Sequence, residues 1–359
     1  MAAPELPKTY KAAVYDQPGK ISTKIVDLEM PEPGPGEVLI NLTHSGVCHS
    51  DLGVMTCSWR ALPFPTPAGQ VGGHEGVGTV VKLGPGAESI CKIGDRVGIK
   101  WLSGICGNCP ACLEGVDASC AAGKVSGYFT PGTFQQYAIG PANYVTPIPD
   151  GLSSEEAAPM LCAGVTVYSA LRKSGAEPGQ TVVILGAGGG LGHLAVQIAS
   201  KGMAMRVIGI DGDAKKDLVM ASGAEHFIPL SVGDTVKAVQ DLTGGMGAQA
   251  VIVCTAANGA YASAPMMLKY NGTVVCVGVP EGDMVPIATA YPGLIVTKSL
   301  KIVGSAVGNR KEAIDTLDMA ARGIVKTHYK VEKMDKLTQV FEDMHAMKLQ
   351  GRVVLDLST

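Results

Sequence analysis

The chain has 359 residues, with 29 Lys and Arg against 32 Asp and Glu, a net charge of −3 and 46% hydrophobic residues. That length holds two domains and a large core, and a near-balanced charge without a basic tract argues against a nucleic-acid surface. Residues 1–20 show neither an apolar nor an Arg-rich leader pattern, no apolar run approaches the ~20 residues that span a bilayer, and the closing DLST is no peroxisomal address. A cytoplasmic protein with no membrane partner is therefore expected. Ten cysteines without a secretion signal point to reduced thiols.

Residues 1–150 alternate short β-rich runs (EVLINLTHSGV, GVGTVVKLG, DRVGIKWL, FQQYAIG) with Gly and Pro turns. This predicts a β-rich lobe of irregular barrel type. In SSEEAAPMLCAGVTVYSALRKSG, Ser153 or Ser154 precedes acids and a helical spacing, so a capped helix is expected there. From 164 to 305 buried strands alternate with helices: TVVIL before LGHLAVQIASKG, RVIGID before AKKDLVMASG, then AQAVIVCTAA, GTVVCVGVP and SLKIVGSA. Continuous Val/Ile runs predict strands covered on both faces, hence an α/β unit with a doubly wound parallel sheet. The tail supplies a helix, RKEAIDTLDMAARG, and a strand, GRVVLDLST, expected to return to the first lobe. The domain reading is 1–163, 164–305 and 306–359.

Three clusters carry chemistry. GICGNCPACLEGVDASC places Cys106, Cys109, Cys112 and Cys120 at C-x2-C-x2-C-x7-C, a spacing that lets four thiolates close a tetrahedral, structural zinc site. Four unrelated thiols are the bland alternative. A nucleic-acid zinc ribbon is another, but only Lys124 lies near. Cys48, His74 (with Glu75 beside it) and Cys162 are the candidates for a zinc site that keeps a position open. Taken singly, a cysteine such as Cys162 on an apolar helix is more often a packed core thiol, and His74 between glycines reads also as a turn residue. GAGGGLG (186–192) follows a strand and opens a helix, the context of a dinucleotide turn. Its register is imperfect: a start at Gly186 ends on Leu191, and a start at Ala187 puts alanine first. Asp211 ends the next strand, where an acid accepts ribose hydroxyls and repels a 2′-phosphate, favouring NAD over NADP.

Together, SGVCHSDL, VGGHEGVG, GIKWLSG, the four-cysteine loop, FQQYA, APMLCAGVTVY, GGLG, GID, GSAVGNR and GRVV resemble the zinc-dependent medium-chain alcohol dehydrogenases, and the tetrameric fungal-type branch most closely. The resemblance implies a GroES-like catalytic domain with a Rossmann coenzyme domain, two zinc ions per chain, NAD(H), a small alcohol or aldehyde substrate and a homotetramer. It implies that Cys48, His74 and Cys162 bind the catalytic zinc with Glu75 behind it, that Asp51 orients His74, and that Ser50 takes the alcohol's proton. Cys106, Cys109, Cys112 and Cys120 hold the structural zinc. His49 and Arg352 meet the pyrophosphate, and Asp211 and Lys216 the adenosine ribose. Gly186, Gly189, Gly190, Leu191 and Gly192 form the dinucleotide turn. Thr166, Val277, Val279, Ser305 and Val307 line the nicotinamide, and Trp59 and Trp101 narrow the pocket toward small primary alcohols.

Two departures stand out. The branch usually carries a relay histidine where this chain has Gly53, and the 60–73 stretch is a few residues longer. The expected reaction is reversible oxidation of a primary alcohol to its aldehyde. Alternatives are the same chemistry on a secondary, polyol or specialised-metabolite substrate, and a non-catalytic dinucleotide-binding protein.

Overall fold

The computed structural model describes residues 6–59, 62–281 and 283–358. They divide into two compact units: Met1–Cys162 with Asn309–Ala321 and His328–Thr359, and Ala163–Gly308 with Arg322–Thr327. These borders lie a few residues from those read in the sequence, and a short segment after 321 returns to the second unit.

The first unit is β-rich, as expected. In chain order it contains β1 (Thr9–Tyr15), β2 (Thr23–Glu29), β3 (Glu37–Val47), α1 (His49–Met55), β4 (Gln70–Val71), β5 (Gly76–Leu83), β6 (Arg96–Ile99), β7 (Leu102–Gly104), α2 (Pro110–Leu113), β8 (Lys124–Val125), β9 (Tyr137–Pro141), β10 (Thr146–Pro147) and α3 (Ser154–Ala157). The long β3 is its spine, pairing with both β5 and β9. Its register against β5 slips at Leu39/Ile40 and again at Leu42/His44, and such bulges bend a strand. The apolar side chains of these strands, among them Val38, Ile40, Leu42 and Val80, form one core together with Phe134 from the segment before β9.

Ser153 caps α3, its Oγ accepting from Glu156 N at 3.3 Å. The expected continuous helix is interrupted, however. After α3 come a 3-10 turn over Ala158–Leu161 and then Cys162 at φ −125°, ψ −74°, before helix resumes. Pro159 cannot donate a backbone hydrogen bond, and Cys162 therefore sits at a break rather than on a helix face.

The second unit contains α4 (Ala163–Lys173), β11 (Thr181–Leu185), α5 (Gly192–Gln197), β12 (Arg206–Asp211), α6 (Lys216–Ser222), β13 (His226–Pro229), α7 (Thr235–Leu242), β14 (Ala248–Val253), α8 (Asn258–Ser263), β15 (Leu268–Cys276), α9 (Pro292–Lys298) and β16 (Lys301–Gly304). The sheet order is β13-β12-β11-β14-β15-β16, every pair parallel. The order reverses between β11 and β14, the point at which doubly wound sheets bind dinucleotides. The residues of β11, β12 and β14 are almost continuously buried, as strands covered on both faces must be.

The remaining elements are α10 (Arg310–Ala321), β17 (Tyr329–Lys333), α11 (Leu337–His345) and β18 (Arg352–Asp356). The last strand pairs antiparallel with β3 of the first unit through Val353↔Val47 and Val354↔Gly46.

Candidate active site

Cys48 follows β3 and caps the start of α1, so the helix start fixes its direction. The Asp51 carboxylate accepts from Cys48 N through Oδ2 at 2.9 Å and meets His74 Nδ1 through Oδ1 at 2.7 Å. One buried carboxylate thus ties the two ligand-bearing segments together. With Nδ1 donating to Asp51, His74 Nε2 is the ring nitrogen turned toward the thiols, and it offers a lone pair when the ring is neutral. That nitrogen lies 3.2 Å from Cys162 Sγ, and Cys162 Sγ is 3.9 Å from Cys48 Sγ. Single donor atoms of Cys48, His74, Glu75 and Cys162 all fall within 4.8 Å of one another, and all four residues are buried. Two thiols and one imidazole converging in this way fit a tetrahedral zinc with one position open.

The buried charges act on the donors in opposite directions, and the Cys162 thiol, which donates to Cys48 and is itself buried, is raised well above the usual thiol range. Cys48 is held well below the usual thiol range by a hydrogen bond from Cys162 and by the Arg352 and His74 charges, which outweigh burial. Burial works against a charged His74, but the Asp51 carboxylate prevails and raises its pKa. Burial pushes Glu75 up to about 7 against the pull of Arg352. Glu75 lies over Gly46, where a Cβ would sit 1.9 Å from its Oε2. Its Oε1 pairs with the buried Arg352 guanidinium and is 3.9 Å from His74 Nε2. Glu75 Oε2 and Arg352 Nε have no hydrogen-bond partner, a gap that bound groups commonly fill.

Trp101 stands edge-on to His74, with centroids 4.9 Å apart, and Trp59 meets Trp101 at 6.0 Å. Ser50 is half-buried with Oγ 3.6 Å from Cys48 Sγ, and His49 is exposed at the start of α1. Arg60 and Ala61, in the lengthened stretch, lie outside the described residues.

The second cluster is local. Cys106 Sγ is 3.6 Å from Cys120 Sγ and 3.9 Å from Cys112 Sγ, and Cys109 Sγ is 3.5 Å from Cys112 Sγ. Backbone N–H groups of Asn108 and Cys109 bring Cys106 down to about 6. Cys109 is lowered as well, while Cys112 is raised, and four sulfurs converging in this way fit a closed metal site.

In the second unit, Gly192 packs where a Cβ would lie 2.0 Å from Gly186 O and 2.6 Å from Ala187 Cα. This is the helix–strand contact asked of the last glycine of a dinucleotide turn, so the register that begins at Ala187 is the one the packing supports. Gly189 N donates to Gly186 O at 3.2 Å, and Gly190 and Leu191 complete the turn. Asp211 accepts from Gly188 N and from Gly212 N, both at 2.7 Å. Its carboxylate is therefore held at the strand end before any ligand arrives. Lys215, rather than Lys216, lies against Gly188, and Lys216 is exposed. Thr166 and Ser305 are buried, Val277 and Val307 half-buried, and Val279 is 46% exposed. Ser305 Oγ accepts from Lys173 Nζ at 3.3 Å.

The sequence reading missed several supports. Tyr15 is fully buried and donates to Asp51 O at 3.3 Å, its ring seated over Gly72, where a Cβ would be 2.1 Å from its hydroxyl. Thr133 Oγ1 accepts from Glu75 N at 3.2 Å and bonds Ser45 Oγ at 2.7 Å. Beside the four-cysteine loop, buried Lys100 holds Nζ 3.3 Å from the Tyr144 ring centroid, and the Tyr144 hydroxyl donates to Asp117 at 2.7 Å. Burial keeps the Lys100 pKa well below the usual ammonium range despite the Asp117 charge.

Comparison with known proteins places the chain in a family. The alcohol dehydrogenase GroES-like domain matches residues 34–150, and the zinc-binding dehydrogenase domain matches residues 190–322. The chain is 64% identical to Alcohol dehydrogenase 2 of Emericella nidulans, with 100% of each chain covered. It is 43% identical to an alcohol dehydrogenase of Schizosaccharomyces pombe, with 98% of each covered. Among solved structures, the alcohol dehydrogenase of Aeropyrum pernix superimposes with a TM-score of 0.85 at 29% identity, covering 96% of this chain and 99% of that one. A β-rich lobe with buried thiol and imidazole donors, and a doubly wound parallel sheet, define a dehydrogenase of the medium-chain type. The chain belongs to the zinc-binding alcohol dehydrogenase family.

Proposed function

We propose that this chain catalyses the reversible, NAD-dependent oxidation of a primary alcohol to its aldehyde. The observation that carries the reading is the buried Cys48–His74–Cys162 set with Asp51 on His74 Nδ1, in a chain of this family. Zinc held by these three residues supplies a Lewis acid that lowers the pKa of an alcohol hydroxyl, and NAD supplies the hydride acceptor.

The chain's own residues do the rest. Asp51 fixes the His74 ring and its tautomer. Glu75, held by Arg352, stands behind as an occasional ligand. Ser50 takes the alcohol's proton at Oγ. Trp59 and Trp101 wall the substrate space. His49, with Arg352, meets the pyrophosphate. Asp211 accepts the ribose hydroxyls, with Lys216 or its neighbour Lys215 beside it. Gly186, Gly189, Gly190, Leu191 and Gly192 admit the dinucleotide backbone, and Thr166, Val277, Val279, Ser305 and Val307 line the nicotinamide. Cys106, Cys109, Cys112 and Cys120 hold a second, structural zinc.

A homotetramer belongs to the same proposal. The edge strand β16 and the neighbouring α9 expose Ile302 and Val296, at 38% and 76%, and such an edge is commonly covered by another copy. All ten cysteines are free, which supports a reducing, cytoplasmic location. The test is a panel of primary and secondary alcohols and their carbonyls with NAD(H) and NADP(H). Turnover of primary alcohols with NAD is expected. Preference for NADP, or for a secondary or polyol substrate, would refute the respective part.

A further inference from the structure

Position 53, where the sequence departs from the branch it resembles, is occupied by its neighbour. Gly53 is buried in α1. A Cβ added there would lie 2.8 Å from Trp59 Nε1, 2.9 Å from Cδ1 and 3.1 Å from Cε2. The pyrrole edge of the indole is therefore seated directly on the helix backbone. The loop that delivers it is fastened to the same helix by Ser58 N donating to Gly53 O at 3.1 Å and Thr66 Oγ1 donating to Val54 O at 2.6 Å. The seated ring leads through Trp101 to His74, and it borders a cavity of about 200 Å³ shared with Leu62 and Phe64.

We propose that Gly53 and Trp59 act as one specificity-determining pair. The absent side chain lets the indole settle against α1, and the cavity it thereby keeps open with Leu62 and Phe64 admits primary alcohols longer than ethanol. The inference rests on the alcohol dehydrogenase reading and names the substrate class within it. Its physical content is a distance. Ordinary contact begins at 3.4 Å, so even alanine at 53 forces the ring to recede by about 0.6 Å. Close-packed side chains transmit such a shift rather than absorb it. A histidine collides further, so the relay side chain of the branch and this seat for the indole exclude each other.

The experiment measures kcat/KM with NAD for ethanol, 1-butanol and 1-hexanol in the wild type, Gly53→Ala, Trp59→Ala and the double variant. A methylene's worth of pocket is typically valued at roughly 10–200-fold. Gly53→Ala should therefore lose at least about tenfold on hexanol relative to ethanol. The double variant should show the chain-length profile of Trp59→Ala alone, because the clash has no partner left. Trp59 emission, read in a Trp101→Phe background, should shift on Gly53→Ala, a readout independent of turnover. An equal loss on all three alcohols, or the same change in profile with Trp59 already removed, overturns the pair while leaving the dehydrogenase reading intact. A folded wild type that oxidises no alcohol overturns that reading and the pair with it.

Discussion

Replacing Asp51 with asparagine probes the buried carboxylate that two ligand-bearing segments share. Asp51 accepts Cys48 N on one oxygen and His74 Nδ1–H on the other. Asparagine keeps one acceptor and gains two donors. If its oxygen stays on Cys48 N, its amide NH2 faces His74 Nδ1 and favours the tautomer protonated on Nε2, the nitrogen aimed at Cys162. If it turns round, the Cys48 amide is left buried without a partner. Either way one charge-assisted bond is lost, and such bonds are worth about 1.5–3 kcal/mol. Loss of an orienting partner behind a metal ligand typically costs about 10–100-fold in affinity, or roughly 1.4–2.7 kcal/mol. Competition against a chelator of known zinc affinity reads this directly at the catalytic site, with the four-cysteine site as the internal reference. Unchanged zinc affinity in folded Asp51→Asn would refute the orienting role.

Other perturbations reach other parts. Cys109→Ser breaks the four-sulfur set, so one zinc per chain should be lost and the melting temperature should fall; unchanged zinc content and melting would contradict the site. Asp211→Gly removes a carboxylate held by two backbone amides. NAD should bind more weakly by about 1–3 kcal/mol, and NADP should improve relative to it; calorimetric titration with both coenzymes checks this, and unchanged relative affinity would refute it. Lys100 has a folded-state pKa depressed by burial, so the unfolded chain binds more protons between that pKa and the ordinary value of about 10.4. Stability therefore rises with pH across that window. Urea unfolding at about pH 7 and pH 9 should show a gain with pH in the wild type that is smaller in Lys100→Met, and identical slopes would refute it.

What was legible in the sequence follows from how each feature is encoded. Local spacing reveals the four-cysteine loop, because its sulfurs are neighbours in the chain. Periodicity reveals the doubly wound sheet, because strands covered on both faces need continuous apolar runs. The proposed zinc donors Cys48, His74 and Cys162 are far apart in sequence, and only their resemblance to a family pattern joined them. Packing partners left no such trace. Tyr15 reaches Asp51 across 36 positions, Thr133 reaches Glu75 across 58, and the Lys100–Tyr144–Asp117 set joins three separate segments. Gly53 was visible as a departure, but only the structure shows the indole seated on it. The expected unbroken helix through Cys162 failed because Pro159 and the backbone turn at Cys162 outweigh helical spacing.

The central claim is that a zinc held by Cys48, His74 and Cys162 enables alcohol oxidation by NAD. The most direct measurement follows ethanol- and butanol-dependent NADH formation in the zinc-loaded protein, after chelation of the catalytic zinc, and after zinc is returned. The account predicts turnover that disappears with that metal while the four-cysteine zinc remains bound, and recovers on its return. Turnover unaffected by its removal, or no NADH from any alcohol in folded, fully loaded protein, would contradict it.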